Sequence, residues 1–379
     1  MKFSEMPYER VDLEQLLSDI RNITEGFQTA GSAEEQISWI HKMDEMMGKV
    51  QTMERLAYIR YTINTQDPFY AAEQEHNSQT SPLIEEAMQP YYRAIVESPY
   101  RAELEQKIGK MLFVRHEFAL KGFSPEITKL VQEENLLTAE YQALMGSAQI
   151  PFDGKVLNIA QMGQYTVSPD REVRKQAFEA MGRYYDSKQK ELDEIFDKLV
   201  KNRTEQAKRL GYDSYVDLAY IRRERCYTVE DVRNFRKQVL EDLVPVNCRL
   251  KEAQAKRIGV DHICFYDDAY SFPDGNATPQ GTPEELLAAA KEMYTEMSPE
   301  TAEFIQAMFD MDLFDVLAKP GKTTGGYCDS LPVYKCPFIF ANFNGTSGDV
   351  EVLTHEAGHA FASYVSSREV PYLDLHWPT

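Results

Sequence analysis

The sequence predicts a mainly α fold built from long helices. Three observations carry this: apolar residues recur every three or four positions through the first two thirds, Gly and Pro bound several of those stretches, and β-prone runs are confined to two places. Leu13, Leu16, Leu17 and Ile20 share one helical face. Ile40, Met43, Met47, Val50 and Ala57 do the same in a second helix, opened by a capping box of Ser32 and Glu35. Similar segments run from Ser81 to Glu97, Glu126 to Met145, Asp170 to Leu210 and Val229 to Arg257, with stop signals such as Leu210-Gly211. Between them, Ile150 to Asn158 sets Asp153-Gly154 between short β-prone runs, the pattern of a hairpin. Phe265 to Thr282 contains SFPDGNATPQGT and predicts a surface loop, followed by a helix near Pro283 to Glu296. Gly321, Gly325 and Gly326 then predict loop, and Phe338 to Phe343, bounded by Pro337 and Asn344-Gly345, predicts a strand. The chain divides into an N-terminal helical region, residues 1–119, and a second helical region, residues 120–379, that carries the chemistry.

With 379 residues, 43% of them hydrophobic, the chain can bury a substantial core. Its formal charge of −20 and pI near 4.9 disfavour phosphate backbones and anionic lipid, which are bound through lysine and arginine, so neither nucleic acid nor membrane is an expected partner. The N-terminal MKFSEMPYERVDLEQ has no apolar segment behind a basic start, and no run reaches the roughly 18 apolar residues of a membrane span. Cys226, Cys248, Cys264, Cys328 and Cys336 form no C-x-x-C pair and fit free thiols in a reducing compartment, so the expected location is cytoplasmic. Nothing in the sequence indicates an oligomeric state.

The stretch that carries chemistry is GDVEVLTHEAGHAFASYV, residues 348–365. Within it His355, Glu356 and His359 fit H-E-x-x-H, in which histidines four apart lie on one face of a helix and can grip one metal ion. With 7 His and 38 Glu in the chain, the pattern arises by chance only ~0.01 times. Ser347, Gly348 and Asp349 offer N-capping groups, and Val350, Leu353, Ala357, Phe361 and Tyr364 form an apolar stripe on the opposite face. Zn2+ held by two neutral imidazoles and one further ligand keeps a position for water and makes that water acidic near neutral pH. Glu356 is then placed to take its proton and pass it to a leaving amine, which makes amide hydrolysis the natural reaction. His41, His76, His116 and His262 are isolated and read as ordinary surface or core residues. The strand at Phe338 to Phe343 has two readings: an open edge along which an extended peptide pairs, or a core strand with no exposed edge.

NFNGTSGDVEVLTHEAGHAF resembles the zinc-helix region of oligoendopeptidase F, a thimet-oligopeptidase-like metallopeptidase. The hairpin AQIPFDGK, SPDREVRKQAFEA, LGYDSYVDLAY, FYDD with FPDGN, and GGYCDSLP with KCPFIFANFNG are similar to the same family, so the resemblance spans about residues 148–379. It implies a mainly helical fold with a deep channel, a small β element beside the zinc helix, and cleavage of short peptides rather than folded proteins. His355 and His359 match the family's zinc ligands and Glu356 its catalytic glutamate, while Gly325, Gly326, Tyr327, Ala341 and Asn342 fall where the family shapes its substrate cleft. The family's third ligand is a glutamate roughly 25 to 30 residues after the first histidine. That window opens beyond Thr379, as do the family's oxyanion-stabilising histidine and tyrosine, leaving Glu369, Asp374 and His376 on a stretch whose Pro371 and Pro378 predict loop. The expectation is the N-terminal portion of a zinc endopeptidase for short oligopeptides, incomplete for catalysis by itself. The alternative is a non-catalytic helical peptide-binding protein or a degenerate metallopeptidase relative.

Overall fold

The computed structural model describes residues 1–369. It opens with α1 (Leu13–Thr29), α2 (Ala33–Ile63), α3 (Pro68–Val96), α4 (Arg101–Ile108) and α5 (Met111–Gly122). The cap of α2 is only half a capping box: Ser32 Oγ accepts from Glu35 N–H, but Glu35 Oε2 accepts from Gly31 N–H, one residue earlier than the motif predicts. α3 starts at Pro68 and runs through Pro82, where the sequence predicted a helix start. Proline removes the bond to the carbonyl four residues back, and that carbonyl, Ser78 O, accepts instead from Asn135 Nδ2 at 3.2 Å, so the helix continues.

α6 (Thr128–Gly146) supplies Asn135, and the predicted hairpin follows as β1 (Ile150–Phe152) and β2 (Lys155–Leu157). Asp153 and Gly154, at φ 49° and 70°, supply the left-handed pair of a type I′ turn. Beyond α7 (Ile159–Thr166), the predicted segment from Asp170 to Leu210 is two helices, α8 (Arg171–Ser187) and α9 (Gln189–Arg209), parted at Lys188. After α10 (Tyr215–Arg222), Val229 to Ile258 is continuous as α11 (Val229–Gln238), a π-turn over Val239–Leu243, and α12 (Val244–Ile258). The π-turn absorbs Pro245, which cannot donate in the helical ladder.

The long loop after α12 is pinned at its start. Buried Asp267 receives Arg171 and Arg174, and Gln254 Nε2 donates to the carbonyls of Asp267, Asp268 and Tyr270. α13 (Pro283–Met297) and α14 (Pro299–Asp310) lead into β3 (Phe314–Leu317), β4 (Tyr327–Leu331) and β5 (Cys336–Phe343), and α15 (Gly348–Glu369) closes the described chain. The sheet order is β3-β5-β4, with β3 parallel and β4 antiparallel to β5. β3 and β4 were not anticipated, because Phe314–Leu317 is only four residues long and Tyr327–Leu331 carries Asp329 and Ser330 within a Gly-rich context.

Two large cores result. One gathers Ile20, Phe27, Ile40, Met43, Tyr91 and Phe113 from the first five helices. The other packs β5, α14 and α15 with Phe3, Met6, Leu56 and Ile59. α2, about 46 Å long at 1.5 Å per residue, enters both and fixes the sheet relative to the N-terminal helices.

Candidate metal centre

The turn before α15 is built by one carboxylate. Asp349 is buried, and its oxygens accept from Asn344 N–H at 2.9 Å and Gly345 N–H at 2.8 Å. Asn344 in turn donates through Nδ2 to Ala160 O, tying the start of α15 to α7. The inward stripe of α15 is Leu353, Ala357, Ala360 and Tyr364. Phe361 is half-buried, and Val350, expected in this stripe, is 44% exposed because it sits in the first turn beyond the sheet.

This packing turns His355 and His359 outward on the same face. Their Nε2 atoms are 3.2 Å apart, with the rings edge to face at 83°. A tetrahedral zinc with Zn–N bonds of about 2.0–2.1 Å holds two nitrogens roughly 3.3 Å apart, so this pair fits one ion. Glu356 lies on the flank that faces the sheet and is buried. Burial raises its carboxyl above the usual range, and His355 and His359 hold that rise back.

The floor beside Glu356 is the start of β4. A Cβ on Gly326 would stand 3.0 Å from Val352 Cγ1, 3.4 Å from Phe340 O and 3.7 Å from Glu356 Oε1, so only glycine lets strand and helix approach this closely. Tyr327 turns inward: its ring stacks on Phe340 at 4.7 Å and its hydroxyl meets Thr62 Oγ1 at 2.6 Å. Ala341 is fully buried in β5, and Asn342 donates through Nδ2 to Thr323 O and Gly325 O. Gly326 and the β4 backbone therefore border Glu356, whereas the side chains of Tyr327, Ala341 and Asn342 act from beneath. The question left open for Phe338 to Phe343 is also answered. β5 is the central strand and has no open edge; among the described residues β3 and β4 each have a strand partner on one side only, and β4 is the edge that begins beside Glu356.

Among the described residues no group of three His, Cys, Asp or Glu side chains converges as a metal site. Glu369 lies ten residues beyond His359 on the same helix, about 15 Å along its axis, which puts it out of reach of the pair. Asp374 and His376 lie outside the described residues. Cys328, near Glu356, has its thiol pushed up by burial and by Asp329 and Glu356, which disfavours the thiolate a metal needs. Sequence reasoning missed Lys322 and Asp315, a buried pair behind the Gly-rich turn. Neither has periodic or motif context that would have singled it out.

Two convergent imidazoles flanking a buried carboxylate, on a helix packed against a small sheet in a mainly helical chain, match the helix-borne part of the site that H-E-x-x-H metallohydrolases use. Comparison with known proteins gives the family. The Peptidase M3 N-terminal domain matches residues 3–123 and Peptidase family M3 matches residues 164–379, and the chain belongs to peptidase family M3. It is 27% identical over 216 residues to the chromosomal oligoendopeptidase F of Lactococcus lactis subsp. cremoris, covering 57% of this chain and 35% of that protein. It is 24% identical over 365 residues to oligopeptidase PepF of Bacillus subtilis (strain 168), covering 89% of this chain and 52% of that protein. Among solved structures, PZ peptidase A with an inhibitor superposes at a TM-score of 0.96 with 45% identity, over 98% of this chain and 66% of the other. The chain thus spans between about a third and about a half of the length of these two curated relatives.

Proposed function

We propose that this chain carries the metal-binding and proton-transfer part of a zinc-dependent endopeptidase acting on short oligopeptides. The observation that carries the reading is the 3.2 Å convergence of His355 and His359 Nε2 beside buried Glu356. His355 and His359 would hold the ion. When bound, zinc supplies Lewis acidity toward a carbonyl and makes a water acidic near neutral pH. Glu356 takes a proton from the attacking water and returns it to the leaving amine, and its burial raises the carboxyl above the usual carboxylate range, which favours holding that proton. The substrate backbone lies along the open side of β4, which pairs an extended peptide by main-chain bonds and favours unstructured substrates. A deep channel over this floor, as the family resemblance implies, admits only such chains.

A catalytic zinc takes three protein ligands, and the described residues offer two. Zinc affinity and turnover are accordingly proposed to be low unless a third donor reaches the pair. The five free cysteines support a reducing, cytoplasmic setting, and no helix among the described residues is long and apolar enough to cross a membrane.

Zinc titration with metal analysis tests the first half of the reading: one ion per chain is expected, with a loss of affinity of at least ~100-fold in His355→Ala or His359→Ala. Quenched-fluorescence peptides of graded length test the second. Glu356→Gln is expected to abolish turnover while leaving zinc content unchanged. Turnover that survives this substitution would remove Glu356 from its role, and peptide binding without any zinc would favour a non-catalytic peptide-binding protein.

A further inference from the structure

We infer that Lys322 is a positioning residue for the cleft: its buried ammonium and the Asn342 amide clamp the turn from Thr323 to Gly326 onto β5, and thereby set how closely Gly326 approaches Glu356. The inference rests on the proposed role of Glu356 for its functional meaning, but its geometry stands independently.

Lys322 is 1% exposed, between buried Gly321 and Thr323 and just before the exposed residues 324–326. Its Nζ, with three protons, lies among four acceptors within hydrogen-bond distance, Asp315 Oδ1 at 2.6 Å, Asp315 O at 2.9 Å, Leu317 O at 2.9 Å and Ala341 O, and 4.3 Å from the Phe340 ring centroid. These acceptors sit where the β3–β5 register slips between Asp315 and Leu317. A bulge leaves ladder carbonyls without their strand partners, and the ammonium collects three of them. An ammonium taken out of water is costly unless it is paired and fully hydrogen-bonded, so this side chain holds its position tightly.

The next residues extend the clamp. Thr323 N–H donates to Thr62 O at 2.9 Å, and Asn342 Nδ2 holds Thr323 O at 2.9 Å and Gly325 O at 2.8 Å. Gly326 follows directly, against Val352 and 3.7 Å, from its would-be Cβ, from Glu356 Oε1. Burial lowers the Lys322 ammonium to about 8, and Asp315 opposes that fall.

The test uses the 379-residue chain without metal. In the wild type, the Lys322 ammonium is expected to give a resolved, slowly exchanging 15Nζ resonance, identified by its loss in Lys322→Met; a fast-exchanging ammonium overturns the clamp. Lys322→Met, or Lys322→Met combined with Asp315→Asn should the lone carboxylate prevent folding, is expected to raise amide exchange over residues 323–328 at least tenfold and to shift the Glu356 carboxyl 13C resonance. Asn342→Ala is expected to shift the same resonance in the same direction, whereas Arg10→Met, which breaks the ion pair of Arg10 with Glu73 of α3, leaves it in place. Zinc affinity is expected to stay within about twofold. An unmoved Glu356 resonance, or exchange that rises equally in the β1–β2 hairpin, overturns the inference. Either result is separate from failure of the peptidase reading, which Glu356→Gln decides.

Discussion

Gly326 shows how a single side-chain position sets the geometry of the centre. Its missing Cβ is the space through which β4 reaches Val352 and the Glu356 carboxylate. Gly326→Ala places a methyl 3.0 Å from Val352 Cγ1 and 3.4 Å from a strand carbonyl, so the Val352 side chain or the strand must give by a few tenths of an ångström. The expected cost is about 1–3 kcal/mol, the usual range for overpacking. Urea denaturation would measure it, and Val352→Ala should recover part of the loss, whereas an unchanged midpoint in Gly326→Ala would show that the strand and helix are not in contact. His355 and His359 differ in this respect: they are exposed or half-buried, so removing either is expected to affect metal affinity rather than folding.

At the scale of elements, the Asp267 node decides whether α8, α12 and the long loop act as one unit. Burial by itself would raise the Asp267 carboxyl, but Arg171 and Arg174 outweigh it and hold the group at about 2, below its ordinary 3.8. A folded-state value below the unfolded one stabilises the fold above pH 3.8, and that contribution is lost as pH falls through about 2. Asp267→Asn leaves Arg174, fully buried, without its counter-charge, and should cost ~3 kcal/mol at neutral pH. The variant should also flatten the acid limb of the stability curve between those two pH values. Denaturant titrations at several pH values, for both proteins, would show whether the two curves converge in acid. The same reasoning explains why Phe265 to Thr282, read from sequence as a surface loop, is held at its start: carbonyls there accept from Gln254, which the loop's own composition could not reveal.

For the molecule as a whole, the segment from α11 through the π-turn into α12 is conspicuous for what it leaves uncovered. Phe235, Leu240, Leu243 and Leu250 are 64%, 65%, 58% and 63% exposed, and no residue of α11 or the π-turn is buried. Contiguous apolar exposure of this kind drives association in water. Sedimentation velocity of the 379-residue chain is expected to show mass rising with concentration, and Leu243→Glu to suppress the rise. A strictly monomeric wild type at high concentration would contradict that expectation.

The H-E-x-x-H spacing determined from sequence that His355 and His359 stand together as candidate metal ligands, because a four-residue separation on a helix fixes two side chains on one face whatever surrounds them. Periodicity and turn chemistry likewise determined the long helices, the hairpin at Asp153-Gly154 and the strand ending at Phe343. Those signals are local, carried by residues a few positions apart. The continuation of α3 past Ser81 depended on more: a carbonyl freed by Pro82 is satisfied by a side chain from α6, which no local pattern records. Which strand is central, which glycine must stay bare and which lysine holds the turn were all decided by tertiary contacts. β5 is central only because β3 and β4 flank it, Gly326 is constrained only because Val352 packs against it, and Lys322 is buried only because Asp315, Leu317 and Ala341 converge on its ammonium. The physical reason is sequence distance: Phe340 and Val352 flank Gly326 from positions 14 and 26 residues away, and Thr62 meets Tyr327 across 265 residues, so these constraints exist only once the chain has folded.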